Sequence, residues 1–255
     1  MEEDKFRSAC TLGYVKTVRE ILGNNPDFNI NFDSDWTCLH CASYYGYDAV
    51  VARLLAHPGL DVNRTCGCGE TAFYYACERG RLGCFRLLLK DARVEVNQAE
   101  PILPLAAIAA RGRSDFLRWM IASGRELRGP PEGGLLALMR DPEGENTRQG
   151  QIEVNFLLQS FVEDEASTRE AARREIGYYD DLAGDLFALV IFLCDGLLVI
   201  GPGEKEGARR FFGIARQLPM ELQKVLCHRT AGSGGNSIPA AKTEAAFREL
   251  AWKVL

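Results

Sequence analysis

The sequence predicts an all-α fold: a solenoid of stacked helix–turn–helix units, with a C-terminal helical extension packed on the array. Three observations predict it. Glycine recurs at Gly13, Gly46, Gly80 and Gly112, in steps of 33, 34 and 32 residues. Apolar or small residues hold register around each glycine: Ala9, Ala42, Ala76 and Ile108 four before, Val18, Val51, Phe85 and Leu117 five after, Leu22, Leu55, Leu89 and Ile121 nine after. Each unit is also too short to bury its own faces, so it implies copies of itself on either side.

The clearest unit runs from Trp36 to Asn63. Thr37-Cys38-Leu39-His40 opens a short helix, and Gly46 closes it. Val50, Val51, Leu54 and Leu55 give the next helix an apolar face at spacings of three and four. Pro58-Gly59 stops that helix, and Asp61-Val62-Asn63 leads out. Asn31, Asn63 and Asn97 mark three such exits. With these residues in register the chain resembles an ankyrin-repeat protein over Glu2 to Leu127. The second unit, with Thr37-x-Leu39-His40-x-Ala42, is nearest the family pattern. The third has Thr71-Ala72-Phe73-Tyr74 and the fourth Leu103-Pro104-Leu105-Ala106. Both lack the histidine, and Ile108 stands where a small residue is usual, so less regular packing is expected in the fourth. The resemblance makes His40 a structural residue that ties neighbouring backbone together. It also leaves little room beyond a methyl group at Ala42 and Ala76. Overpacking there costs roughly 1–3 kcal/mol, so Ala76→Leu is expected to destabilise more than Arg81→Leu in the turn.

Composition narrows the function. The chain has 255 residues, 47% of them hydrophobic, and a net charge of −5. It can bury a long stack, and its charge argues against nucleic acid as a main partner, which needs clustered basic residues. No apolar run follows Met1-Glu2-Glu3-Asp4-Lys5, so no signal peptide is expected. The run Leu186 to Cys194 is too short for a membrane span, which takes about 20 residues. Nine cysteines without a secreted-domain spacing suit a reducing, intracellular setting, most simply the cytoplasm.

The first pair, Phe6 to Leu22, has an acidic leader suited to a capping repeat with a wet outer face. Gly129-Pro130-Pro131-Glu132-Gly133-Gly134 is a strong breaker. The array is therefore assigned to 1–128, and degenerate repeats plus a helical cap region to 129–255. Leu135 to Met139 and Val154 to Phe161 read as a fifth, degraded unit around an insertion loop, Asp141 to Gly150. Ser167 is a candidate N-cap of the following helix. Leu182 to Cys194 reads as a buried helix by its length, although Val190-Ile191-Phe192 leaves a strand open. Helices follow at Lys205 to Gln217, Glu221 to Cys227 and, capped by Thr243, Glu244 to Val254. A turn at Ile200-Gly201-Pro202-Gly203 and a loop at Thr230 to Asn236 separate them. The apolar tail is expected to dock on the last clear repeat, whose Leu117 to Ile121 needs a cover.

Chemistry finds little to stand on. Cys38-x-x-Cys41 with Cys66-x-Cys68 offers four thiols, the number zinc takes. Cys38 and Cys41, however, fall at packing positions of a helix, and Cys66 and Cys68 in a turn. Cys10 and Cys77 share one repeat position, a packing signature. Asp180-Asp181 and Asp185 suit a helix start better than a cation. Gly232-Ser233-Gly234-Gly235 lacks the Gly-Lys-Ser/Thr ending of a phosphate loop. No cofactor, metal or catalytic constellation is assigned, and the chain reads as non-enzymatic.

The resemblance implies a protein partner held in a concave groove. Carried over residue by residue, the groove positions are Asp33, Ser34, Trp36, Tyr44 and Tyr45, then Glu70, Glu78 and Arg79, then Ile102, Ala110 and Arg111. Trp, Tyr and Arg are common interface hot spots. An alternative is a ubiquitin-ligase substrate adaptor, since Leu218-Pro219-Met220-Glu221-Leu222 through Leu226 is similar to the start of an F-box.

Overall fold

The structure is a computed structural model that describes residues 2–25, 27–32, 35–98, 102–130, 133–138, 145–200, 206–232 and 238–254. Among these residues the regular structure is helical, apart from one antiparallel bridge between Thr65 and Thr71. The glycine-rich segments 201–203 and 233–235 and residues 141–144 of the expected insertion loop lie outside the described residues; its remainder, 145–150, is not loop but the first turns of a helix. The chain forms two compact units, residues 1–172 and 173–255.

In the first unit the helices pair in order. These are α1 (Glu2–Leu12) with α2 (Val15–Asn24), α3 (Cys38–Tyr45) with α4 (Asp48–Leu55), α5 (Ala72–Arg79) with α6 (Leu82–Lys90), and α7 (Pro104–Ala110) with α8 (Ser114–Ser123). First helices stack α1 on α3 on α5 on α7, and second helices stack α2 on α4 on α6 on α8. The register residues explain why. Ala42, Ala76 and Ile108 are fully buried on the first helices, as are Val51, Phe85 and Leu117 on the second. The Phe85 ring centroid lies 5.4 Å from that of Phe73 and 4.7 Å from that of Phe116, so aromatic packing continues from unit to unit. At the N-terminal end Phe28 and Phe32 close over Phe6, while Glu2, Glu3 and Asp4 stay exposed.

Local chemistry sets the helix ends. The Thr37 hydroxyl accepts from the His40 backbone N–H at 3.3 Å and the Thr71 hydroxyl from that of Tyr74 at 3.2 Å, satisfying N-terminal donors. Gly46 and Gly80 end α3 and α5 at φ of 87° and 69°, a left-handed conformation that costs glycine nothing. The next unit closes over each of them. A Cβ on Gly46 would meet Arg81 Cδ at 2.8 Å, and one on Gly80 would meet Arg113 Cζ at 2.8 Å. The fourth unit is less regular in its ends: α7 has Pro104 at its first position, no side-chain cap, and Arg111 rather than a glycine at its C-cap.

An asparagine ladder joins the exits. Asn31 donates to the Gly59 carbonyl at 2.6 Å and accepts from the Asp61 N–H at 2.9 Å. Asn63 does the same with Arg93 and Glu95, both at 2.8 Å. Asn97 does so with Glu126 at 2.9 Å and Arg128 at 3.1 Å.

The cover for α8 comes from inside the first unit. A 3-10 helix (Gly134–Leu138) and α9 (Glu145–Glu163) follow the array, and α9 packs on α7 and α8. Val154 and Leu158 are fully buried on α9. Glu153 accepts from the Ser114 hydroxyl at 2.7 Å and faces Arg118 at 3.3 Å; that hydrogen bond, then one from Gln149, draws its carboxyl below the ordinary value. α9 runs so close that a Cβ on Gly150 would collide with the Gly112 carbonyl. α10 (Glu165–Glu175) starts before the expected cap: Asp164, not Ser167, is the capping side chain, accepting from the Ser167 N–H at 3.0 Å. Arg169 then donates to the Ile121 carbonyl at 3.1 Å in the last turn of α8, where positive charge is favourable.

The second unit is built on α11 (Tyr178–Cys194), one continuous helix through Val190-Ile191-Phe192. α12 (Glu206–Ala215), α13 (Met220–Ala231) and α14 (Ala240–Val254) pack on it. Their core is Ala183, Phe187, Val190, Ala215, Cys227 and Ile238. Thr243 is not the cap of the last helix. It lies inside α14, where its hydroxyl donates to the Pro239 carbonyl, so the helix begins at Ala240. Asp181 is buried and pairs with Lys242 at 3.0 Å, which accounts for part of the acidic run as helix-to-helix packing.

Candidate protein-binding face

The residues just before each turn glycine come from the C-terminal ends of the first helices, so stacking brings them into one row. Leu12, Tyr45, Arg79 and Arg111 occupy it, and all four are exposed. Beside this row lies an aromatic cluster. The Trp36 ring centroid is 4.6 Å from that of Tyr75, 5.5 Å from His40 and 5.8 Å from Tyr44. Tyr44 meets Tyr45 edge-on at 5.1 Å, and Tyr45 stacks on Tyr47 at 5.8 Å. The Arg79 guanidinium lies 4.2 Å from the Tyr44 ring centroid, a cation–π contact. Glu78 binds Arg79 at 2.7 Å and Arg111 at 2.5 Å, which ties the third unit to the fourth.

The site residues read from the sequence divide three ways. Tyr45 is 46% exposed, Ile102 is 45% exposed, and Arg79 and Arg111 are exposed beside them. Trp36, Tyr44, Glu70 and Glu78 are half-buried. Trp36 and Tyr44 pack against Cys66, Tyr74, Tyr75 and Ala107, so much of their area is spent within the array. Asp33 and Ser34 lie outside the described residues. Sequence reasoning missed Leu12, which is 55% exposed and stands one residue before Gly13, as Tyr45 stands before Gly46. The signal was the register itself. Tyr47 was missed because its place after the glycine gives no sign that it stacks on Tyr45.

His40 sits at the base of this face. Its Nδ1 accepts from the Thr37 N–H at 3.2 Å, which leaves Nε2 to donate to the Glu70 carbonyl at 3.1 Å. Burial lowers its pKa to about 4, so the ring is a neutral bridge between the second and third units. Glu70 also accepts a short hydrogen bond from the Tyr75 hydroxyl. Burial first, then that bond, pushes the Tyr75 phenol well above its ordinary value.

The four-thiol zinc set is not brought together among the described residues. Cys38 and Cys41 are buried, as is Cys10, whereas Cys66 and Cys68 lie in the turn with Glu70. The F-box-like segment is split in the same way between packing and solvent. Pro219 caps α13, and Leu226 and Cys227 enter the second unit's core, while Met220 and Leu222 are exposed.

Residues 6–100 match the family model for ankyrin repeats, in three copies. This segment is an ankyrin-repeat array. Curated relatives match over short stretches. Cortactin-binding protein 2 of Oryctolagus cuniculus is 41% identical over 64 residues, 25% of this chain and 4% of that protein. The Dasypus novemcinctus protein of the same name is 36% identical over the same length. The Target of rapamycin complex 2 subunit AVO2 of Saccharomyces cerevisiae is 32% identical over 91 residues, 34% of this chain and 21% of that protein. The matched stretches thus cover 4% to 21% of these relatives' length. Ankyrin repeats are a protein–protein interaction module, and α7 and α8 continue the ankyrin stack beyond residue 100. No helix among the described residues is long and apolar enough to cross a membrane.

Proposed function

We propose that the chain is a non-enzymatic recognition module or scaffold, acting inside the cell, that holds a protein segment against the turn ends of its first helices. The observation that carries this is the exposed row Leu12, Tyr45, Arg79 and Arg111, which sets two apolar anchors beside two cations. Tyrosine gives large contact area at low rotamer cost, and a rim of charge tunes association. Glu78 steadies both arginines, so they are presented in fixed places. The relatives agree in kind, one named as a binding protein and another as a subunit of a complex.

The test is site-resolved cross-linking followed by affinity measurement. A photoreactive residue at position 45 or 111 is expected to capture the partner, and one at Lys90, on a second helix, is not. Tyr45→Ala should then weaken binding by about 2 kcal/mol, roughly 30-fold. Arg79→Glu should slow association most at low salt. Capture only through residues of the second unit, with affinity unchanged in both variants, would overturn the proposal.

A further inference from the structure

We propose that Cys66, Cys68 and Glu70 form a binding site for a thiophilic divalent cation such as Zn2+, at the turn that enters the third repeat. This goes beyond partner recognition and does not depend on it. The two sulfurs and a carboxylate oxygen lie within 4.8 Å of one another. Around tetrahedral zinc, with Zn–S near 2.3 Å, neighbouring ligand atoms sit about 3.8 Å apart. Closure onto a metal therefore takes a movement of about 1 Å or less, within reach of side-chain rotation.

The backbone already holds the ligands on one turn. The Cys66 N–H donates to the Glu70 carbonyl at 2.8 Å, and the Gly69 N–H to the Cys66 carbonyl at 2.9 Å. The Thr65–Thr71 bridge closes the base of the turn. Asp35, from the preceding connection, approaches the same turn at Gly67, its Oδ2 3.6 Å from where a Cβ there would lie. The absence of a side chain at Gly67 leaves that approach open.

The surroundings suit a ligand set. Ligating carboxylates are themselves hydrogen-bonded in metal sites, which fixes their orientation. Here the Tyr75 hydroxyl donates to Glu70 and lies 3.6 Å from Cys66 Sγ. Two thiolates with a carboxylate select a borderline-soft ion over Mg2+ or Ca2+. Cys68 is exposed, so an ion has a path in. Cys10, Cys38 and Cys41 make one thiol more, but all three are buried and offer no such path. Coordination deprotonates both thiols and releases their protons to solvent. Tyr75 touches Trp36, so an occupied site would pin the turn beside the aromatic cluster.

The experiment uses the full chain, metal-free and reduced with a phosphine, titrated with Co2+ alone. One Co2+ per chain is expected, with thiolate-to-cobalt charge-transfer absorption and visible tetrahedral bands that Zn2+ erases. Cys68→Ser, at an exposed position where folding is not at stake, should weaken binding by at least 10-fold and reduce the charge-transfer band. Tyr75→Phe should weaken binding while keeping the spectrum. Cys41→Ser and Cys194→Ser should change neither. A Co2+ spectrum without charge-transfer absorption, or one unaltered by Cys68→Ser in a chain with unchanged melting, would overturn the proposal.

Discussion

The Arg81 Nε donates to the carbonyl oxygen of Tyr44 at 3.0 Å, and the rest of its side chain lies over Gly46. Arg113 repeats the arrangement one unit later, reaching back to the Cys77 carbonyl over Gly80. A residue at the start of one second helix thus caps the first helix of the unit before. Arg81→Leu, expected to cost less than Ala76→Leu, therefore carries a cost of its own. Arg81 is exposed, so its loss is expected to cost about 1 kcal/mol, below the usual 1.5–3 for a charged hydrogen bond. Gly46→Ala should cost more, since it combines a positive φ with collision against Arg81. The fair comparison for Ala76→Leu is Ala92→Leu, at an exposed loop position, and chemical denaturation should show only the former losing stability.

His40 makes stability depend on pH. Its folded-state pKa is lowered from 6.5 to about 4, chiefly by burial. Between those values the unfolded chain binds a proton that the folded chain refuses, so stability rises with pH across that window. The full contribution is present above pH 6.5 and is lost as pH falls towards 4, up to on the order of 3 kcal/mol. His40→Gln should flatten the stability profile between those limits. An unchanged slope in that variant would assign the dependence to other groups.

Trp36 and Tyr45 should separate by experiment. Trp36 lies against Tyr75, Tyr44 and His40, so Trp36→Ala is expected to lower the melting temperature, at a cost of about 3 kcal/mol. Tyr45 is exposed, and Tyr45→Ala should leave melting within about 0.5 kcal/mol of the parent. Only the second is then a clean probe of binding. Equal destabilisation by both would mean that Tyr45 belongs to the packed cluster.

Truncation tests the cover on α8. Leu117, Met120 and Ile121 are fully buried, and α9 packs over their helix. A fragment ending at 128 lacks α9 and uncovers two or three large side chains, each worth about 1.5–3 kcal/mol. A fragment ending at 172 keeps it. The shorter one should aggregate or melt roughly 10 °C or more below the longer. Equal melting would show that α9 adds nothing to the array.

Much of the array was legible in the sequence because stacking repeats the same demand every unit. Gly46, Ala42, Val51 and Asn63 each recur in register, and each recurrence reports one physical requirement. The helical character of the tail was legible from run length and polarity. Its details were not, because Asp164 and Ser167 are both good caps and only backbone placement decides between them. Thr243 failed because the helix starts earlier, at Ala240, and the threonine hydroxyl bonds back to the Pro239 carbonyl. The face was half legible. Position before the glycine predicted that Tyr45, Arg79 and Arg111 face solvent, as they do. The inward lean of Trp36 depends on Tyr75, a unit away, and no local pattern announces a contact across that distance.

The asparagine ladder also bears on how such a chain changes length. Asn31, Asn63 and Asn97 each grip a carbonyl and an N–H of the following exit, and each grip is made to backbone rather than to a particular side chain. The second and third units therefore carry the same plug on one side and the same socket on the other. Excising residues 32–63 would bring Asn31 into the place of Asn63, opposite the backbone of Arg93 and Glu95, with its partners chemically unchanged. A gene encoding this chain can lose or duplicate a whole unit without the new junction having to invent a joint.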